Sequence, residues 1–184
     1  MGIRVVTAGG GKAVFLDRDG VINQAVVREG KPYPPANLAE LVVLPGVPQA
    51  LFRLRQAGYL TLVVTNQPDL ARGTLLPEVL EALHAHLLDT LPLDGIDFCP
   101  HDDPDGCDCR KPLPGMLLRG AKRYDLSLAD CVMVGDRWRD IEAGRRAGCS
   151  TVFISCGYAE KQPDPPADHT AVDLVTAVDW ILAL

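Results

Sequence analysis

The stretch "VFLDRDGVIN", residues Val14–Asn23, sets the first expectation for the fold. It overlaps a short apolar run, Ala13–Leu16, and two aspartates, Asp17 and Asp19, follow that run directly. A run that is apolar on both faces, and does not alternate with polar residues, indicates a strand buried inside a parallel sheet. The stretch therefore predicts a buried strand whose carboxyl end carries two acidic side chains.

Further runs of this kind recur along the chain and alternate with amphipathic helical patterns. The other predicted strands are Leu60–Val64, Gly95–Phe98, Cys131–Val134 and Thr151–Ile154. The predicted helices are Gly46–Ala57, Pro77–Leu88, Pro114–Tyr124, Arg139–Ala147 and Ala171–Leu182. Alternating strands and helices predict an α/β fold with a doubly wound, mainly parallel sheet covered on both faces. No repeat or linker divides the chain, so we expect one domain over residues 1–184, with surface loops at Lys31–Pro35 and Lys161–Asp168.

Composition restricts the partners that we expect. Acidic residues (24) outnumber Lys and Arg (18), the net charge is −6, and no basic stripe typical of nucleic-acid binding is visible. No apolar run is long enough to span a bilayer, and the first 17 residues lack the apolar stretch of a signal peptide. These features predict a soluble cytoplasmic monomer that binds neither nucleic acid nor membrane.

Polar residues gather where several predicted strands end. Asp17 and Asp19 follow the first strand, Thr65–Gln67 follow the second, and Asp136 and Asp140 follow the fourth. A solvated loop would explain any one of these groups. Because ligands bind at the carboxyl ends of the strands in open parallel sheets, the recurrence predicts one shared crevice.

The aspartates of this crevice predict a magnesium site. Asp17 and Asp19 are two residues apart, so both side chains can point the same way, and Asp136 would add a third carboxylate. Close negative charges repel each other unless a cation lies among them, and all-oxygen ligands suit Mg²⁺. We expect Asp17, Asp19 and Asp136 to hold Mg²⁺; a solvated acidic rim is the alternative.

The segment "FCPHDDPDGCDCRKP", residues 98–112, predicts a second metal site. Cys99, His101, Cys107 and Cys109 offer the four ligands of a closed tetrahedral Zn²⁺ site within a loop of residues 99–109. A disulfide is disfavoured in a reducing compartment, and the density of the cysteines disfavours unrelated thiols. We expect the zinc to be structural, fixing the loop that leads to Arg110 and Lys111.

Two further groups of residues are expected to be structural. Cys131, Cys149 and Cys156 lie in or near predicted strands and are interpreted as small core residues. His84 and His86 lie on a predicted helix and are expected at the surface.

Four motifs, in this order along the chain, resemble those of the haloacid dehalogenase-like phosphatases. They are "DRDGV" (17–21), "VVTNQ" (63–67), "RKP" (110–112) and "VGDRWRD" (134–140), and the resemblance runs from Val14 to about Gly148. It implies a Rossmann-like fold and hydrolysis of a phosphomonoester through an aspartyl-phosphate. An aspartyl-phosphate divides a difficult hydrolysis into two easier steps.

The resemblance also implies roles for individual residues. Asp17 would be the nucleophile and Asp19 the general acid and then base, while Asp136 would hold Mg²⁺. Thr65 and Asn66 would bind the transferring phosphoryl group, and Lys111 would neutralise its charge. Substrate contacts are expected from the side chains of Asn23, Gln67, Arg110 and Arg137.

The substrate expectation follows from two groups within the family that resemble this chain in their zinc loop. The intervals from Asp19 to Thr65 and from Thr65 to Lys111 are too short for a large cap domain, so the site should be open. "TNQPDLARG" and "RKPLPGMLL" resemble the heptose 1,7-bisphosphate 7-phosphatases, which serve nucleotide-activated heptose biosynthesis. The short His101–Cys107 interval and Arg137 resemble histidinol-phosphate phosphatases.

We favour a sugar phosphate, the heptose bisphosphate, although "NQPDL" departs from the Asn-Gln-Ser-Gly form expected of that group. Histidinol phosphate is the alternative substrate. A catalytically inactive phosphate-binding module is the alternative of another class, and the presence of every motif residue needed for turnover disfavours it.

Overall fold

The computed structural model describes residues 10–184. Its strands are β1 (Ala13–Leu16), β2 (Val26–Arg28), β3 (Lys31–Tyr33), β4 (Leu60–Asn66), β5 (Gly95–Cys99), β6 (Val132–Gly135), β7 (Ser150–Ile154) and β8 (His169–Ala171). Its α-helices are α1 (Val47–Gln56), α2 (Pro77–Thr90), α3 (Gly115–Tyr124), α4 (Trp138–Ala147) and α5 (Leu174–Ile181).

Six strands form one sheet in the order β5-β4-β1-β6-β7-β8, and every pairing in it is parallel. In the register of the sheet, Leu16 at the end of β1 lies opposite Val63 of β4 and Val134 of β6. The carboxyl ends of these three neighbouring strands therefore meet at one edge. This arrangement confirms the predicted doubly wound α/β fold.

Strand β1 shows why both faces of the sheet are covered. Val14 and Leu16 belong to a core that includes apolar residues of α1 and α5, whereas Ala13 and Phe15 belong to a second core with residues of α3 and α4. Successive side chains of a strand point to opposite faces of the sheet, so a run that is apolar throughout must be covered on both faces. Full burial of such a side chain contributes about 1.5–3 kcal/mol.

The ten predicted elements are present, but two regions differ from the prediction. His169–Ala171 pair with β7 as strand β8, so the last helix begins only at Leu174, where the Asp173 side chain accepts a hydrogen bond from the Thr176 N–H (2.8 Å). The sequence predicts that this helix begins at Ala171, because a three-residue edge strand is too short to show a recognisable strand periodicity.

The second difference is the segment Lys31–Pro35, predicted to be a surface loop. Lys31–Tyr33 form β3, which pairs antiparallel with β2 in a separate two-stranded sheet. Between β1 and β4 the structure has only this hairpin, a short 3₁₀ turn and α1, so no large cap domain covers the sheet edge.

Within residues 10–184, no helix combines the length and the apolar character needed to cross a membrane. Residues 1–9 belong to the N-terminal segment in which no export signal was expected, and they lie outside the described residues.

Candidate active site

The predicted crevice exists at the carboxyl edge of the sheet. A cavity of ≈ 270 Å³ is lined there by Asp17 and Asp19 after β1, by Thr65 and Asn66 at the end of β4, and by Lys111, among others. Residues from the three predicted strand ends, including Asp140, line the cavity together with Lys111, whereas Asp136 and Gln67 do not line it.

The loop after β1 is held close to the loop after β6. The Asp17 N–H donates to the Val134 carbonyl (2.9 Å), which extends the sheet by one residue past β1. Gly20 has a φ of +88°, and a Cβ at this position would lie 1.9 Å from Asp136 Oδ2. Only glycine allows both this backbone conformation and this close approach, so Gly20 places Asp17 beside Asp136.

Lys111 is a buried cation at the centre of the site, with 1 % of its surface exposed. Its Nζ lies 3.0 Å from Asp17 Oδ1 and 2.6 Å from Asp140 Oδ1, and it donates to the Val64 carbonyl (2.8 Å). Burial lowers the pKa of Lys111, but the charges of Asp140 and Asp17 outweigh burial and the net direction is upward. The amine is therefore charged at neutral pH and fixes the orientation of the Asp17 carboxylate.

Asp17, Asp136 and Asp140 form a carboxylate cluster in which one oxygen of each lies within 4.8 Å of the others. Burial raises the pKa of Asp17 to about 6, while Lys111 acts in the opposite direction. Burial, followed by the charges of Asp17 and Asp140, raises the pKa of Asp136 well above its usual range. Among the described residues, no side chain meets the strict hydrogen-bond geometry to either oxygen of Asp136, although the Tyr158 hydroxyl is close enough to oppose the rise in the Asp136 pKa. Buried oxygens of this kind fit a hard cation such as Mg²⁺.

The membership of the carboxylate cluster differs from the predicted magnesium ligands. Asp140 belongs to it, although the sequence predicted Asp140 only as a crevice residue and not as a ligand, and the Asp19 side chain does not. The signal was available, because Asp140 closes the motif "VGDRWRD". Its place at the start of α4 lets its Oδ2 accept from the Arg137 N–H (2.9 Å) while its Oδ1 contacts Lys111.

The Asp19 carboxylate lines the cavity and accepts hydrogen bonds from three side chains. Arg18 donates to both of its oxygens, with Nη2 2.9 Å from Oδ2 and Nε 3.2 Å from Oδ1. Asn23 Nδ2 donates to Oδ1 (2.9 Å) and Gln67 Nε2 to Oδ2 (3.1 Å). Asn23 and Gln67 are completely buried, so in this structure they contact Asp19 and not the open crevice, where substrate contacts were expected.

Thr65 and Asn66 both reach the site, in different ways. The Thr65 hydroxyl is buried and accepts a hydrogen bond from Gln67 Nε2 (2.9 Å). Asn66 pairs with the backbone of Lys111 in both directions, since its Nδ2 donates to the Lys111 carbonyl and its Oδ1 accepts from the Lys111 N–H, each at 3.0 Å. Asn66 therefore ties β4 to the loop that carries Lys111.

The four predicted zinc ligands converge in the loop that follows β5. The Sγ atoms of Cys99 and Cys109 are 3.1 Å apart, and those of Cys99 and Cys107 are 3.6 Å apart. His101 Nδ1 lies 3.3 Å from Cys109 Sγ, and the four ligand atoms all lie within 4.8 Å of one another. Ligands around one tetrahedral Zn²⁺ are about 3.5–3.8 Å apart, as follows from Zn–S and Zn–N lengths of about 2.3 and 2.0–2.1 Å. The donor set fits zinc, and the ligand atoms converge on one point, although two of the three separations are shorter than an ion would set them.

The two arginines predicted to contact substrate line the cavity, and each is paired with an acid. Arg110 Nε donates to Asp103 Oδ1 (2.7 Å), and its Nη1 donates to the His101 carbonyl (3.2 Å). Arg137 is paired through its Nε and Nη2 with Glu160. Glu160 comes from the loop after β7, and the sequence contains no local signal for this contact.

Two of the expected structural residues lie elsewhere than predicted. His84 is buried and not at the surface. It lies on the same buried face of α2 as Leu80, Leu83 and Leu87, and its ring contacts Arg18. That spacing of three and four residues is helical, so the sequence contained the signal.

Cys156 is exposed and is not a core residue, since it follows β7 after the strand has left the core. Cys131 and Cys149 are buried and His86 is exposed, which confirms those predictions.

With the geometry described, comparison with known proteins identifies the family. The family model for haloacid dehalogenase-like hydrolases matches residues 26–148. The chain belongs to the haloacid dehalogenase-like hydrolases. This membership confirms the resemblance drawn from the four motifs.

Curated relatives within this family share substantial identity with the chain. One is the D-glycero-beta-D-manno-heptose-1,7-bisphosphate 7-phosphatase of Bordetella bronchiseptica, 41% identical over 158 residues, which covers 82% of this chain and 84% of the relative. The enzyme of the same name from Pseudomonas aeruginosa is 41% identical over 149 residues, covering 78% and 81%. The crystal structure of the B. bronchiseptica D,D-heptose 1,7-bisphosphate phosphatase, complexed with magnesium and phosphate, has a TM-score of 0.76 at 35% identity and covers 94% of this chain and 98% of that one.

Proposed function

We propose that the protein is a Mg²⁺-dependent phosphatase that removes the 7-phosphate from D-glycero-D-manno-heptose 1,7-bisphosphate, with Asp17 as the nucleophile. The observation that carries the proposal is the contact of Lys111 with Asp17 beside Asp19, in one crevice of a chain whose relatives are named for this reaction. The comparison with these relatives extends over more than three quarters of both sequences.

The carboxylate cluster is the proposed magnesium site, with Asp17 and Asp136 as the side-chain ligands. The unpartnered oxygens of Asp136 support this assignment, and Asp140 is the less available member because Lys111 and the Arg137 N–H occupy its oxygens. When bound, Mg²⁺ supplies positive charge that offsets the charge of the phosphoryl group and of the carboxylates. The family resemblance assigns proton transfer to Asp19, whose carboxylate is positioned by Arg18, Asn23 and Gln67.

Two steps of proton and phosphoryl transfer follow from this arrangement. In the first, a carboxylate oxygen of Asp17 forms a bond to phosphorus while the bond from phosphorus to the sugar oxygen breaks, and Asp19 gives that oxygen its proton. In the second, Asp19 takes a proton from water, the water oxygen bonds to phosphorus, and the bond to Asp17 breaks. Inorganic phosphate leaves, and the proton taken from water leaves Asp19 protonated, as it was at the start.

The neighbouring residues position the groups that react. Lys111 holds the attacking carboxylate through its 3.0 Å contact and offsets negative charge in the crevice. Asn66 fixes the backbone of Lys111, and the Thr65 hydroxyl is placed at the end of β4 to bind the phosphoryl oxygens. Phosphoryl transfer depends mainly on positioning and charge stabilisation, which is what these residues supply.

The loop of Cys99, His101, Cys107 and Cys109 is the proposed structural zinc site. Lys111 follows its last ligand by two residues, so a fixed loop fixes the start of the segment that enters the crevice. We propose that zinc holds this loop and takes no part in phosphoryl transfer, since the cluster already has four protein ligands and leaves no open position.

We propose that Arg110 and Arg137 bind the substrate beyond the reacting phosphate. A heptose bisphosphate carries a second phosphate, for which a guanidinium is a suitable partner. Arg110 lines the cavity with its side chain 12 % exposed, and Arg137 lines it from the start of α4. Both would have to share their present partners, Asp103 and Glu160, with the phosphate.

Release of inorganic phosphate by the purified protein with Mg²⁺ tests the proposal. Both anomers of the heptose bisphosphate and histidinol phosphate are supplied at equal concentrations, and Asp17→Asn is the control for contaminating phosphatase. The proposal predicts a higher kcat/KM for one heptose anomer than for histidinol phosphate. A preference for histidinol phosphate would refute the substrate, and binding of the bisphosphate without phosphate release would indicate an inactive phosphate-binding module.

A further inference from the structure

Arg18 lies between the nucleophile and the proposed acid in sequence, yet it does not face the crevice. It is completely buried and is absent from the residues that line the cavity. A buried guanidinium without partners is very costly, so the position of Arg18 depends on the groups that accept its N–H bonds. Those groups are the Asp19 carboxylate and one neutral side chain, His84.

The contact with His84 comes from a distant part of the chain. Arg18 Nη1 lies 3.0 Å from His84 Nε2, across 66 positions of sequence. Arginine can only donate hydrogen bonds, so His84 Nε2 accepts, and its ring proton is on Nδ1. Burial first, and then the charge of Arg18, lowers the pKa of His84 to about 4, which agrees with a neutral ring that accepts at physiological pH.

Packing fixes the position of His84 itself. The ring lies 5.5 Å from the Phe98 ring, centroid to centroid, at an interplanar angle of 57°. Only 8 % of His84 is exposed, and it lies on the same face of α2 as the buried Leu80, Leu83 and Leu87. His84 therefore anchors Arg18 to the rigid body of the fold, on the side opposite to Asp19.

We propose that His84 is a positioning residue for Asp19 and acts through Arg18. With one edge of the guanidinium held by His84, the Nε–Nη2 edge is directed at both oxygens of Asp19. Loss of the acceptor leaves a buried N–H without a partner, and the guanidinium then turns to satisfy it, which moves Asp19. The inference rests on the proposed function, in which Asp19 gives its proton to the leaving oxygen.

Two variants of similar size separate the acceptor from the packing. His84→Leu fills the site without an acceptor, whereas His84→Gln places an amide oxygen toward Arg18. His86→Leu is the matched control, because His86 lies two residues away on the exposed face of α2. If His84→Leu does not fold, His84→Asn, whose amide is too short to reach Arg18, replaces it.

The readout is the dependence of kcat/KM on the leaving group. The heptose 7-phosphate ester releases an alkoxide that needs the proton of Asp19, whereas 4-nitrophenyl phosphate releases a stable phenolate that needs it little. General acid catalysis contributes about 10²–10⁴-fold, so a displaced acid should cost about 10-fold on the heptose ester and less than about 2-fold on the aryl ester. His84→Gln and His86→Leu should lose less than about 3-fold on both, and the affinity for inorganic phosphate should not change.

The outcomes distinguish this inference from the proposed function. Three results would refute the positioning role while the proposed function stands. In His84→Leu, they are an equal loss of kcat/KM on both esters or no loss on either. In His84→Gln, it is a loss that depends on the leaving group as strongly as in His84→Leu. A wild-type chain that hydrolyses another primary alkyl phosphate but not the heptose ester would refute the substrate, and the comparison would then use that alkyl ester. A wild-type chain without activity on any ester would refute both.

Discussion

The carboxylate cluster and the cysteine–histidine loop both fit a metal ion, but they are built differently. Asp17 and Asp136 follow buried strands directly, and Lys111 already offsets part of their charge. The first cysteine–histidine ligand, Cys99, ends the edge strand β5, and the other three follow it in a segment with one short 3₁₀ turn, where most of the residues between the ligands are exposed. We therefore expect the sheet to hold the first site without an ion, and the second site to depend on an ion for its shape.

The largest expected effect breaks the chemistry of the carboxylate cluster and leaves its structure intact. Asp17→Asn should lower kcat by about 10⁴-fold or more, because a neutral amide cannot attack phosphorus. The melting temperature should stay near that of the wild type. Asp97→Asn, at an exposed carboxylate of β5 outside the crevice, is the control and should keep normal kcat. Near-normal turnover by Asp17→Asn would refute its role as nucleophile.

The second effect breaks the electrostatic support of the same cluster. Lys111→Met leaves Asp17 and Asp140 buried without their cation, which should lower the free energy of unfolding by about 3–5 kcal/mol in urea titrations. Adding Asp140→Asn should restore part of that stability, since one buried charge is removed, but should not restore activity. Equal stability of the single and double variants would show that the two side chains do not interact.

The third effect tests whether the loop depends on its ion and the carboxylate cluster does not. We expect about one zinc per chain by elemental analysis, and Cys107→Ser should lose it and expose the loop to protease. A displacement of about 1 Å at a catalytic group can cost about 10²-fold, so kcat/KM should fall by about that amount. Cys156→Ser is the control, because Cys156 is exposed and lies outside the four-ligand group.

The complementary measurement concerns Mg²⁺. Removal of Mg²⁺ should abolish activity, and its return should restore activity. Neither step should change the sensitivity of the protein to protease. Protein prepared without chelators that contains no zinc would contradict the structural role of the loop.

The smallest effect concerns the arginine that joins the two regions. Arg110→Ala should lower kcat/KM for the heptose bisphosphate by an amount equivalent to about 1.5 kcal/mol of transition-state stabilisation. This is the lower end of the range for a hydrogen bond to a charged group, because Asp103 competes for the same guanidinium. A monophosphate ester should lose little. Arg119→Ala, which removes another arginine–aspartate pair outside the crevice, is the control. If both esters lose equally and zinc content falls, Arg110 supports only the loop.

The sequence by itself determined five of the six strands of the main sheet, with ends within two residues of those observed, and the order of the motifs. An apolar run such as Ala13–Leu16 can only be buried on both faces, and the residues that follow it must emerge at the sheet edge. The sequence likewise determined that Cys99, His101, Cys107 and Cys109 come together, because ligands so close in sequence need only a local turn to meet.

The tertiary structure alone decided which partner each polar side chain meets. Asn23 and Gln67 were expected to face substrate and instead hold Asp19, and Asp140 meets Lys111 across the sheet edge. Helical spacing could have placed His84 on the buried face of α2, but no local pattern could name Arg18, 66 positions away, as its partner. Hydrophobic periodicity specifies which face of a helix or strand is buried. The pairing of polar groups depends instead on the distances between elements that are remote in sequence, and chain packing sets those distances.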